Sequence, residues 1–133
     1  RALSFMQISH RVIFTGRVSH KQVKLYMKLS DMLILPSYSE GMPNVVIEAM
    51  GLGRPVIAAD VGGVKEVVKD RHNGILIKPG SVKEIYDAVE LLLKDGALSR
   101  LIAYNANKTI RKGFSWTENA SRLDSIYENL LRR

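Results

Sequence analysis

The stretch PSYSEGMPNVVIEAMGLG, residues 36–53, decides how this chain of 133 residues is interpreted. A glycine, a proline and the start of an apolar helix lie between two acids, Glu40 and Glu48. The N-terminus of a helix binds anions through its free N–H groups, and a glycine beside it lets a ligand approach the backbone closely. Carboxylates on either side of such an anion site would repel phosphate, so they are better suited to hydroxyl groups. The stretch therefore predicts a site for a nucleotide sugar.

Around this stretch, short apolar runs alternate with segments of helical spacing. Four runs are predicted strands, at 12–14, 32–35, 55–59 and 74–77. Helical segments follow at 23–30, at 43–52 and, after two glycines, through 67–68. This alternation predicts an α/β fold with a Rossmann-like parallel sheet and helices on both faces. Loops 37–44 and 60–63 both follow strands, so they are expected at the carboxyl edge, where such sheets bind ligands.

The remainder of the chain has the spacing of helices. Two Ser-x-x-Glu patterns, which begin at Ser81 and Ser115, are capping boxes and predict the starts of helices. Gly96 follows the first of these helices and predicts its end. The last helix is expected at about 116–132, and residues 1–133 are interpreted as a single domain.

The composition excludes several classes of protein and site. There is no cysteine, so disulfides, thiolate metal sites and thiol nucleophiles are excluded. His10, His20 and His72 lack the spacing of metal ligands and are interpreted as surface residues, so no metal site is expected. The net charge of +7 is scattered among acids, and the few aromatic residues do not alternate with it, so no nucleic-acid partner is expected.

From Val12 to about Leu131 the chain resembles the nucleotide-binding C-terminal domain of a GT-B glycosyltransferase of family 4, the group 1 family. The matching runs are LPSYSEGMPNVVIEAMGLGRPVIAADVGGVKEVV at 35–68, NGILI at 73–77 and FSW before the last helix. The family carries an acid–seven–acid motif, which corresponds here to Glu40 and Glu48. The resemblance covers nearly the whole chain.

The resemblance implies a role for each acid of the motif. Glu40 would contact the sugar being transferred, as the catalytic acid of the pair, and Glu48 would hold the ribose hydroxyls. The position of Glu48 supports this assignment, because it lies about one turn inside the helix, beyond the phosphate-binding end. An acid on a helix that is apolar nearly all round needs a partner.

The residues between the acids are expected to bind the diphosphate and the sugar mainly through backbone groups. These residues are Gly41, Met42, Pro43, Asn44 and Val45. The proline has no N–H, so the donors must come from the other four. The asparagine side chain could instead cap the helix. The glycines at 62–63 could permit phosphate to approach, or they could form a plain turn before a helix.

The function that the resemblance implies is the donor-binding half of a retaining glycosyltransferase. The donor would be a nucleoside-diphosphate sugar, with no cofactor and no metal, and the pathway would be polysaccharide or glycan biosynthesis. The location would be cytoplasmic, either free or in peripheral contact with the inner face of the membrane.

The chain also departs from the family pattern at its start. The family's first strands and its arginine-and-lysine diphosphate clamp are missing, and Arg17 lies too close to the next strand to replace that arginine. The N-terminal acceptor domain is missing too, so the isolated chain is expected to be inactive. The strand at 12–14 must then pair directly with 32–35, lie displaced, or leave the sheet to be completed by self-association through an exposed edge.

Three other functions compete with this interpretation. A non-catalytic nucleotide-sugar-binding module would keep the site without turnover, although intact Glu40 and Glu48 weigh against a degenerate site. A dinucleotide-binding oxidoreductase is disfavoured because no GxGxxG follows a strand. A basic nucleic-acid-binding domain would require binding that falls steeply with salt.

Overall fold

The computed structural model describes residues 8–113 and has a three-stranded parallel sheet at its centre. The strands, in the order β1-β2-β3, are β1 Leu33–Leu35, β2 Val56–Ala59 and β3 Ile75–Ile77. β1 pairs with β2 in the register Leu33 to Val56, and β2 pairs with β3 in the register Ile57 to Ile75. Parallel pairing requires a crossover between consecutive strands, and helices supply it here. The predicted α/β fold is confirmed.

Helices make up most of the remaining described chain. After a 3-10 turn at Ser9–Arg11 they are α1 His20–Leu29, α2 Asn44–Gly51, α3 Val64–Val67, α4 Val82–Lys94 and α5 Gly96–Gly113. α1 begins at a capping box in which the Ser19 hydroxyl accepts the Gln22 N–H while the Gln22 side chain accepts the Ser19 N–H. In the described part of the chain, no helix is both long enough and apolar enough to cross a membrane.

The core lies in two layers because alternate residues of β2 point to opposite faces of the sheet. Val56 and Ala58 join a cluster with α2 and α3, whereas Ile57 and Ala59 join one with α4. α5 contributes to both clusters, through Ile102 on one side and Ala106 on the other. Every residue of β2 is buried, as expected for the central strand of a sheet covered on both faces.

The strand predicted at 12–14 is not formed. Ile13 and Phe14 are 85% and 82% exposed, and the segment pairs with no strand in residues 8–113. β-branched and aromatic residues favour a strand only where a neighbouring strand and a buried face are available. Direct pairing of this segment with β1 is therefore wrong for the described residues, and self-association through the open edge stays a prediction.

The predicted start and end of α4 are confirmed, although its capping box is incomplete. Ser81 caps α4 by accepting the Glu84 N–H at 3.2 Å, but the Glu84 carboxylate accepts the Lys78 N–H at 2.7 Å and does not complete the box. α4 ends at Lys94, just before Gly96, as predicted. Gly96 is also the first residue of α5, which the Asp95 carboxylate caps by accepting the Leu98 N–H at 2.9 Å. The capping box at Ser115 and the helix at 116–132 lie outside the described residues.

The two edges of the sheet differ. On the outer side of β3, the Asp70 carboxylate accepts the Leu76 N–H at 2.9 Å and the Glu84 carboxylate accepts the Lys78 N–H at 2.7 Å. On the outer side of β1, a groove of about 340 Å³ is left beside Ile34 and α1, and no strand of residues 8–113 fills it. The β3 edge is thus closed by side chains, whereas the β1 edge is open.

One buried side chain, Asn73, ties the start of β3 to two helices. It is 1% exposed, and its carbonyl accepts the Lys69 N–H at 2.6 Å. Its amide donates to the Val67 carbonyl and to the Thr109 hydroxyl, both at 3.1 Å. The asparagine of the NGILI run is therefore structural, because it satisfies backbone groups that would otherwise be buried without partners.

Replacing Asn73 by alanine should lower the free energy of unfolding by about 1–3 kcal/mol, because the backbone groups it satisfies lose their partner. Urea denaturation measures the change. Asn105→Ala is the matched control, since it removes a single bond, from the amide to the His72 carbonyl at 2.9 Å, at a less buried position. Equal losses in the two variants would show that burial of the Asn73 network adds nothing.

Candidate functional site

Three loops meet at the carboxyl edge of the sheet, one after each strand. The loop after β1 contacts the loop after β2, where the Gly63 N–H donates to the Gly41 carbonyl at 3.1 Å. It also reaches the loop after β3, because the Tyr38 ring lies against Gly80. The predicted position of loops 37–44 and 60–63 at one edge is confirmed. Tyr38, which is largely exposed, extends this surface across β2 toward β3.

The glycines at 62 and 63 are required because two backbones touch. Gly62 has φ +46°, and a Cβ at this position would overlap the carbonyl oxygen of Glu40. A Cβ on Gly63 would overlap the carbonyl oxygen of Gly41. Neither earlier interpretation, phosphate approach or a plain turn, includes this contact. The glycines let the loop after β2 support the segment that carries the first acid.

The N-terminus of α2 is capped differently from the expectation for Asn44. Pro43 is buried and occupies the N-cap position, and no side chain caps the helix. Asn44 is the first helical residue, and its N–H donates to the Met42 carbonyl at 3.0 Å, so the prediction that its side chain caps α2 is wrong. Among residues 8–113, the N–H groups of Gly41, Met42 and Val45 donate to no acceptor. These three groups can bind an anion.

The two acids of the motif lie in different surroundings. Glu40 is half-buried, and its carboxylate makes no hydrogen bond or ion pair with any described residue. The Glu48 side chain is 29% exposed, and its Oε1 lies 2.9 Å from Nε2 of His20. The partner expected for an acid on this apolar helix is therefore a histidine at the start of α1.

The contact of His20 with Glu48 could not be read from the sequence. The two residues are 28 positions apart, and His20 has none of the spacing that marks a ligand or a catalytic pair. It is exposed, as expected, but the side chain lies at the candidate site rather than away from it. The available signal was the Ser19 capping box, which places His20 in the first turn of a helix whose start follows a loop.

The site offers two kinds of hydrogen-bonding group to a polar ligand. No group of three or more histidine, aspartate or glutamate side chains in residues 8–113 is placed to hold a metal ion. Free N–H groups can accept a phosphate, and the carboxylates beside them can accept hydroxyl donors. The two sets of groups together could bind one ligand that carries both phosphate and hydroxyl groups.

Comparison with known proteins assigns the family. Residues 3–109 match the family described as glycosyl transferases group 1. The chain belongs to this family. It spans about a third of the length of the curated relatives it matches.

Two bacterial glycosyltransferases are among these relatives of the group 1 chain. The putative teichuronic acid biosynthesis glycosyltransferase TuaC of Bacillus subtilis (strain 168) is 38% identical over 120 residues, 90% of this chain and 31% of TuaC. The alpha-D-kanosaminyltransferase of Streptomyces kanamyceticus is 34% identical over 120 residues, 90% of this chain and 31% of that protein.

Solved structures of related proteins have the same fold. Sucrose-phosphate synthase from Thermosynechococcus elongatus superposes with a TM-score of 0.88 at 29% identity, over 98% of this chain and 33% of that one. Anabaena Alr3699/HepE, solved in complex with UDP and glucose, gives a TM-score of 0.88 at 26% identity, over 96% of this chain and 34% of that one. The group 1 chain therefore has the Rossmann-like fold of GT-B glycosyltransferases, as part of a longer fold in these relatives.

Proposed function

We propose that this chain is the donor-binding part of a retaining, family 4 glycosyltransferase and corresponds to its C-terminal domain. The donor is a nucleoside-diphosphate sugar. The observation that carries the proposal is the arrangement at the start of α2: free N–H groups lie between Glu40, which has no partner in residues 8–113, and Glu48, which is half-buried. The Glu48 end of this arrangement suits the ribose of the nucleotide, and the Glu40 end suits the transferred sugar.

The diphosphate, the ribose and the transferred sugar of the donor each bind to different groups of the site. The N–H groups of Gly41, Met42 and Val45 bind the diphosphate, and the rigid bend at Pro43 holds them toward it. Glu48 accepts the ribose hydroxyls, and Glu40 faces the transferred sugar as the catalytic carboxylate. The Asn44 side chain, which does not cap the helix, contributes a polar contact to the same ligand. In the described chain no lysine or arginine forms an ion pair with Glu40, so its carboxylate is available to accept hydrogen bonds from neutral hydroxyl groups.

The relatives support the class of donor and the pathway. HepE has been solved with UDP-glucose and with UDP, which makes a nucleotide sugar the expected ligand of the same fold here. TuaC is described as a putative enzyme of teichuronic acid biosynthesis, and this supports polysaccharide or glycan biosynthesis as the process. A cytoplasmic location, either free or at the membrane face, is part of the same proposal.

Glu48→Gln should weaken binding of the nucleotide by about 10–150-fold, because a charge-assisted hydrogen bond contributes roughly 1.5–3 kcal/mol. Calorimetry with UDP and with GDP on the complete natural protein that contains this chain measures the change. Glu66→Gln is the matched control, since it removes the same charge from the exposed first turn of α3. Unchanged affinity in Glu48→Gln would remove this residue from the site.

In the proposed enzyme, the acceptor binds to a part of the protein outside this chain. We expect the 133-residue chain alone to transfer no sugar, and the complete protein to transfer it in the presence of EDTA, because no metal is needed. Release of nucleoside diphosphate from UDP-glucose or another donor measures both. Donor binding without any turnover in the complete protein would favour the alternative, a non-catalytic nucleotide-sugar-binding module.

A further inference from the structure

We propose that His20 is a positioning residue that orients the Glu48 carboxylate toward the ribose of the donor. The inference rests on the proposed function, in which Glu48 accepts the ribose hydroxyls. It adds a residue from a different element, α1, to a site otherwise built by the loop after β1 and by α2.

The direction of the hydrogen bond follows from chemistry. An ionised carboxylate can only accept, so Nε2 of His20 carries the hydrogen and donates it to Oε1 of Glu48 at 2.9 Å. Within residues 8–113, Oε2 of Glu48 has no hydrogen-bond partner. The histidine therefore holds one oxygen and leaves the other to accept a hydroxyl donor.

Both ends of this contact stand on well-fixed backbone. His20 is the first residue of α1, directly after Ser19, whose capping box with Gln22 fixes the start of the helix. Glu48 is followed on α2 by two fully buried residues, Ala49 and Met50. The Glu48 side chain has many rotamers, and the hydrogen bond from His20, which is held at a fixed point, favours one of them. Holding the acceptor in place before the ligand arrives lowers the ordering cost of binding.

The contact of His20 with Glu48 should contribute little to the free energy of folding. The His20 side chain is 65% exposed, and pairs this exposed add little to folding because water competes for both groups. A contribution to ligand binding is different, since the ribose itself covers the site and removes that water. The contact should therefore affect the binding of nucleotides that have ribose hydroxyls more than it affects unfolding.

The test compares ribonucleotides with nucleotides that lack the hydroxyls. UDP, GDP and their 2′,3′-dideoxy forms are titrated into the complete natural protein that contains this chain. The variants are His20→Ala, His20→Gln, Glu48→Gln and the combination of His20→Ala with Glu48→Gln. His72→Ala, at another exposed histidine, is the matched control.

We expect His20→Ala to lower the preference for the ribonucleotide about 3–10-fold while affinity for the dideoxy form stays unchanged, the range of a single hydrogen bond. His20→Gln, which keeps an N–H donor, should recover part of that preference. The double variant should keep the same preference for the ribonucleotide over the dideoxy form as Glu48→Gln alone, because the histidine acts only through the carboxylate. His72→Ala should behave as the wild-type protein.

Two results for His20→Ala would overturn the proposal, and Glu48→Gln shows whether the proposed function fails with it. Equal weakening of both nucleotide forms in His20→Ala would indicate a structural role only, and an unchanged preference would show no role at all. If Glu48→Gln abolishes the preference but His20→Ala does not, the proposed function survives without this residue. If Glu48→Gln also leaves the preference intact, or neither nucleotide binds, the assigned role of Glu48 fails as well.

Discussion

Gly62→Ala should lower the free energy of unfolding by about 2–4 kcal/mol, the largest loss of stability that we expect for a single added methyl group within residues 8–113. Two costs add. A residue with a side chain at φ +46° is strained, and the added Cβ overlaps the Glu40 carbonyl, a backbone atom that cannot turn aside. The overlap also pushes on the segment that carries the first acid, so nucleotide binding should weaken together with stability.

Two other glycines separate these costs. Gly53 has φ +68° but nothing within 4 Å of an added Cβ, so Gly53→Ala measures the strain alone, about 1 kcal/mol. Gly63 has φ -73°, and its Cβ would overlap the Gly41 carbonyl, so Gly63→Ala measures the overlap alone. Urea denaturation of the three variants gives each loss. If Gly62→Ala cost no more than Gly53→Ala, the contact between the two loops would not be tight.

Glu40→Gln should reduce the turnover of the complete enzyme by about 100-fold while nucleotide affinity changes little. A glycosyl group carries positive charge as its bond to the leaving diphosphate breaks, and a carboxylate beside it stabilises that charge. Glutamine keeps the shape and the hydrogen-bonding oxygen but removes the charge. An interaction made mainly in the transition state appears in kcat rather than in binding.

The measurement for Glu40 pairs turnover with calorimetry in the same preparations. Glu48→Gln should show the opposite pattern, with weaker nucleotide binding and a smaller effect on kcat at saturating donor. Glu66→Gln, an exposed carboxylate on α3, controls for the loss of one negative charge near the site. A Glu40→Gln enzyme with normal turnover would show that this carboxylate does not act on the transferred sugar.

The parts of the fold that depend on local pattern were predictable. β1, β2 and β3 were each predicted to within one residue of their observed starts and ends, because buried parallel strands are continuous apolar runs with clear breakers. The segment at 12–14 has the same local pattern but no strand beside it in residues 8–113. Strand formation depends on a partner, and a single sequence does not show whether the partner is present.

The site was predictable only where its residues are close in sequence. The motif from Glu40 to Glu48 placed the acids and the free N–H groups on one short segment. The partners of that segment come from elsewhere: His20 from α1 and Gly62 from the loop after β2. Such contacts depend on how the elements pack. The sequence indicated a helix start after Ser19 and placed loop 60–63 at the same edge, but not the contact of His20 with Glu48 or of Gly62 with Glu40.

Asp70 and Glu84 limit the stoichiometry of any association through the sheet. They occupy the N–H groups of Leu76 and Lys78 on the outer side of β3, so within residues 8–113 the β1 edge is the one left open to another strand. A sheet with one open edge can pair with one other sheet. Two copies paired through β1 around a twofold axis would leave no open edge within residues 8–113. If residues 8–113 self-associate through this edge, we therefore expect strand addition to stop at a dimer and not to continue into a filament.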